Sequence, residues 1–303
     1  MPIPLPIAGH DAPEVSLQHL DQLWFQVGGT LCNFTCRHCF ISCSPHNHEF
    51  GFLSLDDVRR ALDESIALGV KEYYFTGGEP FLNPEMTAIL ELTLEYGPAS
   101  VLTNASVLKD EWLARLRAAD ERSPHSFEWR VSLDGFSSET NDPLRGDGTF
   151  DRTMNGVRKL IEHDFLPIIT VAQMDEAEDP GELFRGFAAA LRKIGYTRPR
   201  LKVLPALRLG AEAERAHGYL DEERVTRAMM AGFDAGLLLC SHARLVSDRG
   251  VHVCPILLEA PDALLAPTLR EAIGPYALRH HACYTCYQYG SICANPSEGA
   301  HDA

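Results

Sequence analysis

Cys32, Cys36 and Cys39 fall within eight residues, in the run Cys32-Asn-Phe-Thr-Cys36-Arg-His-Cys39-Phe40. Three soft thiols on one short loop are one ligand short of closing a four-iron cluster, which ordinarily takes four cysteines. The iron left without a protein ligand is then free to bind something else. Zinc is the common alternative for a cysteine group, but it favours tetrahedral closure and usually draws on two separated pairs. Ferredoxin-like packing is a second alternative, because Cys43 follows Cys39 at the x₃ interval with Pro45 close behind. That pattern lacks its x₂ first interval here, so Cys43 reads as a packed or spare thiol. A second group, Cys240, Cys254, Cys283, Cys286 and Cys293, lies far downstream, with no cysteine between 43 and 240. The spacing predicts two separate metal sites.

The chain has 303 residues, enough for one large domain or two modest ones, and a hydrophobic content of 45% supports a packed core. No stretch approaches the ~20 apolar residues that span a bilayer, and the opening Met-Pro-Ile-Pro-Leu-Pro lacks the basic and apolar regions of a signal peptide. A cytoplasmic protein with no membrane partner is expected, its nine cysteines kept reduced for metals. The formal net charge of −15 opposes a nucleic-acid partner, whose phosphates call for lysine and arginine.

To position the cysteine loop, the sequence offers alternating strands and helices. Strands are predicted at Leu23–Val27, Glu72–Phe75, Ala99–Leu102, Trp129–Leu133, Phe165–Val171 and Leu201–Leu204. Helices are predicted from the Ser54 cap to Leu68, from Asn83-Pro84 to Tyr96, and over Asp110–Ala118, Thr153–His163 and Gly181–Lys193. Six βα-type units over roughly 180 residues are too few for a closed eight-unit barrel of ~250 residues. The α/β fold expected is a partial (β/α)6 barrel, with a doubly wound sheet as the alternative. Both place reactive residues at the C-terminal ends of strands, and the cysteine loop and Gly77-Gly78-Glu79-Pro80 each follow a strand. After Gly210 a polar helical stretch is predicted over Ala211–Phe233, leading into a small C-terminal cysteine-rich domain. The boundaries drawn are 1–19 for an N-terminal extension, 20–211 for the main domain, 212–294 for the second and 295–303 for a frayed tail.

The CxxxCxxC loop together with Gly77-Gly78-Glu79-Pro80 resembles the signature of the radical S-adenosylmethionine (SAM) superfamily. The resemblance implies that Cys32, Cys36 and Cys39 hold a [4Fe-4S] cluster whose open iron is chelated by SAM. It further implies that Phe40 packs near the adenine, that His38 supplies a backbone contact, and that Gly77 and Gly78 accept from the SAM ammonium. Glu79 would aid the same polar end or brace the loop. Ser132 and Asp134, in Val-Ser-Leu-Asp-Gly, and Arg145 match positions used for the SAM carboxylate or ribose; a guanidinium suits a carboxylate bidentately. Thr103 and Asn104, after the third strand, are expected to face the substrate.

The downstream cysteines resemble SPASM and twitch domains, which hold auxiliary clusters. The truncated pattern favours twitch, with a second [4Fe-4S] cluster closed by Cys240, Cys254, Cys283 and Cys286. Cys293 is either supernumerary or a ligand, in which case one iron is open. A zinc ribbon is the alternative for this group taken alone. The resemblance implies reductive cleavage of SAM to a 5′-deoxyadenosyl radical that abstracts hydrogen, with an electron donor such as flavodoxin or ferredoxin. An oxidoreductase oxidising or cross-linking a small molecule is the first expectation. A maturase of a precursor peptide is the second, disfavoured by the lack of an N-terminal leader-binding domain. A zinc-stabilised binding module is the non-enzyme alternative.

Overall fold

The computed structural model describes residues 7, 11–174 and 179–292, so Cys293 and the 295–303 tail lie outside the described residues. After a two-residue strand β1 (Glu14–Val15), strands and helices alternate: β2 (Gln22–Phe25), α1 (Leu55–Leu68), β3 (Glu72–Phe75), α2 (Met86–Thr93), β4 (Ala99–Thr103), α3 (Asp110–Arg122) and β5 (Phe127–Ser132). Next come α4 (Ser138–Arg145), α5 (Thr149–Glu162), β6 (Ile168–Gln173), α6 (Pro180–Lys193) and β7 (Arg200–Pro205). Strands β2 to β7 lie side by side in chain order, each parallel to the next. A doubly wound sheet would reverse direction at a switch point, and this order never reverses. Right-handed crossovers then carry the helices α1, α2, α3, α5 and α6 to the same face.

Side-chain alternation along the strands separates two environments. Leu23, Phe25, Phe75, Val101, Val131 and Ile169 pack against the helices through Val58, Leu62, Ile89, Leu113, Val157 and Phe187. The intervening residues Trp24, Tyr74, Leu102, Arg130, Ser132, Thr170 and Lys202 turn to the other face, where a cavity and a second apolar core lie. Local signals explain several boundaries. The Ser54 hydroxyl accepts from Asp57 N–H at 3.1 Å while Asp57 accepts from Ser54 N–H at 3.0 Å, closing a capping box on α1. Helix α4 was not anticipated because Pro143 reads as a breaker; a Ser137–Thr140 capping box starts the helix upstream of it.

The chain beyond Gly210 departs from expectation. Helix α7 covers only Gly210–Ala216, because His217 and Gly218 both adopt left-handed φ, 64° and 65°. The predicted helix to Phe233 is therefore replaced by turns. Later strands rejoin the main sheet: β8 (Ala243–Ser247) pairs parallel with β2 at its other edge, and β9 (Gly250–His252) and β10 (Leu264–Ala266) follow antiparallel. Among the described residues the sheet therefore has nine strands. Strand β11 (Tyr276–Ala277) pairs antiparallel with β1, and α8 (Ala282–Tyr289) carries the last described cysteines. No helix among the described residues is long and apolar enough to cross a membrane.

Helix α5 approaches the end of β4 so closely that a Cβ on Gly156 would stand 2.0 Å from Ala105 O. Helix propensity alone would favour alanine there by about 1 kcal/mol. Overpacking costs about 1–3 kcal/mol and should win. Gly156→Ala is expected to lower the urea midpoint with an unchanged slope; a raised midpoint would show that α5 can back away freely.

Candidate active site

The loop between β2 and α1 carries the first cysteines, and it is held by backbone pairing that continues past the strands. Gly28 N–H donates to Thr76 O at 3.2 Å, Gly78 N–H to Gly29 O at 2.9 Å and Glu79 N–H to Leu31 O at 3.0 Å. This approach needs glycine: a Cβ on Gly78 would lie 2.0 Å from Leu31 O, and Gly77 has φ +146° with Gly28 atoms 2.7 Å from its would-be Cβ. The Gly-Gly pair thus fits itself to the cysteine loop's own backbone as well as bordering the cavity.

That cavity opens at the C-terminal ends of the parallel strands. Cys32, Cys36, Cys39, His38, Phe40, Gly77, Gly78, Thr103, Asn104, Ser132, Asp134 and Arg145 all line it. Glu79 does not; it is fully buried beneath. Its carboxylate accepts from Thr103 Oγ1 (2.7 Å), Asn104 N–H (2.8 Å) and Phe81 N–H (3.1 Å), so it braces the loop. Burial raises its pKa above the ordinary carboxylate range, with these three donors opposing. Thr103 is committed to this brace, and the Asn104 amide donates to Asn33 Oδ1 at 3.0 Å and toward Cys32 Sγ at 3.8 Å. Both residues border the space where substrate was expected, yet Thr103 is engaged with Glu79 and the Asn104 amide with the cysteine loop. Sequence reasoning missed Trp24, Gln26, Arg130, Thr170 and Lys202 on the same wall. Period-two alternation on the predicted strands was the signal that could have found them.

Asp134 is the electrostatic centre. Its Oδ2 lies 2.9 Å from His38 Nε2 and 2.5 Å from Arg145 Nε, and its Oδ1 accepts from Ala172 N–H at 2.8 Å. Burial alone would raise the carboxyl, but Arg145 and His38 outweigh it and hold the pKa well below the carboxylate range. Arg145, matched in sequence to a SAM-carboxylate arginine, spends Nε on Asp134 and points Nη1 toward Cys36 Sγ at 4.0 Å. The His38 side chain is likewise engaged with Asp134.

Burial pushes the Cys32 thiol up to about 12 and Cys36 up to about 11, while donation from Cys43 draws Cys39 down. Two of the three stay protonated at neutral pH unless a cation replaces the proton. Among the described residues no three His, Cys, Asp or Glu side chains converge tightly enough to hold one metal ion. A four-iron cluster takes one thiolate per iron and tolerates wider spacing, so three desolvated sulfurs around one cavity fit it better than zinc.

The downstream group is also brought together. Cys254, Cys283, Cys286 and Tyr276 share one apolar cluster with Cys240 packed against it, and Cys283 and Cys286 lie one turn apart on α8. The Tyr276 hydroxyl and His280 Nδ1 are buried with no hydrogen-bond partner. An orphaned buried donor is costly, and a sulfide or thiolate acceptor beside Tyr276 would satisfy it. His280 Nε2 pairs with Asp262 at 2.9 Å.

Asp134→Asn should leave Arg145 buried without its counter-charge, at a cost of about 3–5 kcal/mol. Because the Asp134 pKa is depressed on folding, its contribution is fully present above the unfolded value near ~3.9 and is lost as pH falls through the folded value. Urea melts of cluster-free protein from pH 7 to 3 should show stability falling at the acid end in wild type and a flatter profile in the variant. Parallel profiles would remove Asp134 from this role.

Comparison with known proteins agrees with this geometry. The family model described as the Radical SAM superfamily matches residues 27–175. The chain is 34% identical over 136 residues to an AdoMet-dependent heme synthase of Methanosarcina barkeri, covering 44% of this chain and 37% of that protein. It is 30% identical over 147 residues to the antilisterial bacteriocin subtilosin biosynthesis protein AlbA of Bacillus subtilis, covering 48% and 32%. The matches span about a third of these relatives' lengths. Among solved structures, anSMEcpe with bound AdoMet and Cp18Cys peptide shares the fold at TM-score 0.58 and 16% identity, over 83% of this chain and 79% of that one. With the cysteine loop, the Gly-Gly clamp and most of the cavity's lining inside the matched span, residues 27–175 match the Radical SAM superfamily.

Proposed function

We propose that this chain is a radical SAM enzyme acting on a peptide, with Cys32, Cys36 and Cys39 holding the [4Fe-4S] cluster that binds SAM. The observation that carries the reading is the single cavity in which these three thiols meet Gly77, Gly78, Ser132, Asp134 and Arg145. When bound, the cluster and SAM supply hydrogen-atom abstraction from an unactivated carbon. The chain's own residues then bind, orient and exclude water. Gly77 and Gly78 present backbone to the SAM amino end, Phe40 packs by the adenine, and Asp134 fixes the directions of His38 and Arg145. Reduction calls for a flavodoxin- or ferredoxin-type donor in the cytoplasm.

A peptide is favoured over a small molecule by the shape of the approach. The cluster cavity and two further clefts all border Leu204 and Pro205 at the end of β7, the outermost parallel strand. Three clefts bordering one strand end suit an extended chain. The relatives support this choice in part, one named for making a bacteriocin and one structure holding a peptide. Small-molecule oxidation remains the second reading, supported by the match to a heme synthase. Residues 212–294 are assigned as a twitch-like unit holding an auxiliary [4Fe-4S] cluster on Cys240, Cys254, Cys283 and Cys286, its sheet strands continuing the six-unit partial barrel.

Anaerobic reconstitution should give about eight iron and eight sulfide per chain. Changing Cys32, Cys36 and Cys39 together to alanine should halve both and abolish SAM cleavage, and Cys43→Ala should spare both clusters. Zinc in place of iron, or loss of the first cluster in Cys43→Ala, would overturn the assignment.

Synthetic peptides from short reading frames beside the gene should raise deoxyadenosine release in the presence of SAM and dithionite, and should themselves change mass. Turnover with a small metabolite but no peptide would hand the function to the second reading.

A further inference from the structure

Arg244, on β8 opposite Leu23 of β2, is 1% exposed. Its guanidinium donates only to backbone carbonyls: Nε to Ala272 O at 2.7 Å, Nη1 to Cys240 O and Ala243 O at 2.8 Å each, and Nη2 to Gly274 O at 3.0 Å. Among the described residues no carboxylate pairs with it, and the ionisable groups that bear on it are Cys240 and Cys254. A buried cation without an anion is expensive, and carbonyl dipoles offset only part of that cost. Every other guanidinium that is buried to a similar degree, those of Arg130 and Arg145, has a carboxylate.

We infer that Arg244 is the built-in counter-charge of the auxiliary site and raises the reduction potential of the cluster bound there. This rests on the auxiliary cluster of the proposed function. Four thiolates on a four-iron cluster leave the assembly net negative, and accepting one electron adds a further negative charge. A fixed cation bonded through Nη1 to the backbone carbonyl of one ligand residue, Cys240, stabilises the reduced form more than the oxidised one. The four carbonyl contacts hold the guanidinium still, so the field does not relax away when the charge changes. Arg244 is thus a positioning and tuning residue. It makes the auxiliary cluster a better electron acceptor for a one-electron step whose reductant, in the test below, is dithionite.

The experiment is a mediator-poised dithionite titration of the reconstituted holoprotein, followed by electron paramagnetic resonance. Variants lacking Cys32, Cys36 and Cys39 isolate the auxiliary signal. Arg244→Gln should lower the midpoint at least tenfold in the reduced-to-oxidised ratio, which is 59 mV for one electron. Arg244→Lys should return it toward wild type, because charge rather than shape sets the field. Gly274 is exposed and a Cβ there meets nothing within 4 Å, so Gly274→Asp places an anion near the same guanidinium without disturbing its bonds. It should shift the midpoint the same way by less, and it decides the matter alone if Arg244→Gln fails to assemble. Unmoved midpoints in cluster-loaded Arg244→Gln, or in Gly274→Asp when that variant stands alone, would overturn the inference. A wild-type protein that assembles no auxiliary cluster would instead overturn the proposed function on which it stands.

Discussion

The site depends on one backbone contact, the approach of Gly77-Gly78 to the segment from Gly28 to Cys32. Parallel pairing between β2 and β3 ends at Phe25 and Phe75, yet Gly78 and Glu79 continue to donate to Gly29 and Leu31. A loop of nearly thirty residues would otherwise carry large conformational freedom at its most reactive positions. Pinning its start to the next strand end removes much of that freedom before any cofactor binds. The clamp then passes to β4, because the carboxylate of Glu79 reaches Thr103 and the Asn104 amide, and Asn104 reaches back to Asn33 and Cys32. Three adjacent strand ends are thereby tied to one cysteine loop.

On the opposite side of the cavity the ordering force is electrostatic. Asp134 sits after β5, His38 on the cysteine loop and Arg145 at the end of α4, so that the carboxylate ties the distant cysteine loop to the segment after β5. One desolvated carboxylate between two nitrogen donors fixes all three, and Arg145 in turn stands by Cys36. The two devices are complementary: hydrogen-bonded backbone sets where the loop runs, and the ion pair sets how its far end faces the cavity.

Much of the first half was legible because the relevant signals are local. Cysteine spacing, the Gly-Gly pair after an apolar run, and the Ser54 cap each act within a few residues, and the alternation of strands and helices is strong over β2 to β7. What was not legible depends on contacts distant in sequence. The polar pattern of Ala211–Phe233 reads as helix, but two left-handed residues stop it after Ala216, a backbone choice that composition does not announce. Strand β8 is short and apolar, and nothing in it says that it will pair with β2 some 220 residues away. The use of Arg145 and His38 by Asp134 was equally hidden, since each carries a plausible ligand role when read alone.

The pairing of β8 with β2 has a consequence for how the two cysteine groups relate. Cys32 and Cys43 from the first loop share an apolar core with Cys254, Cys283 and Cys286, together with Trp24, Tyr74, Leu245 and Val253 from the sheet. The groups therefore stand on one rigid frame rather than on two bodies joined by a linker. A packed interior has low compressibility, so the separation between the sites is set by the sheet and not by loop motion. Arg244 lies on the strand that joins the two halves, where carbonyls from the segment 272–274 close over its guanidinium.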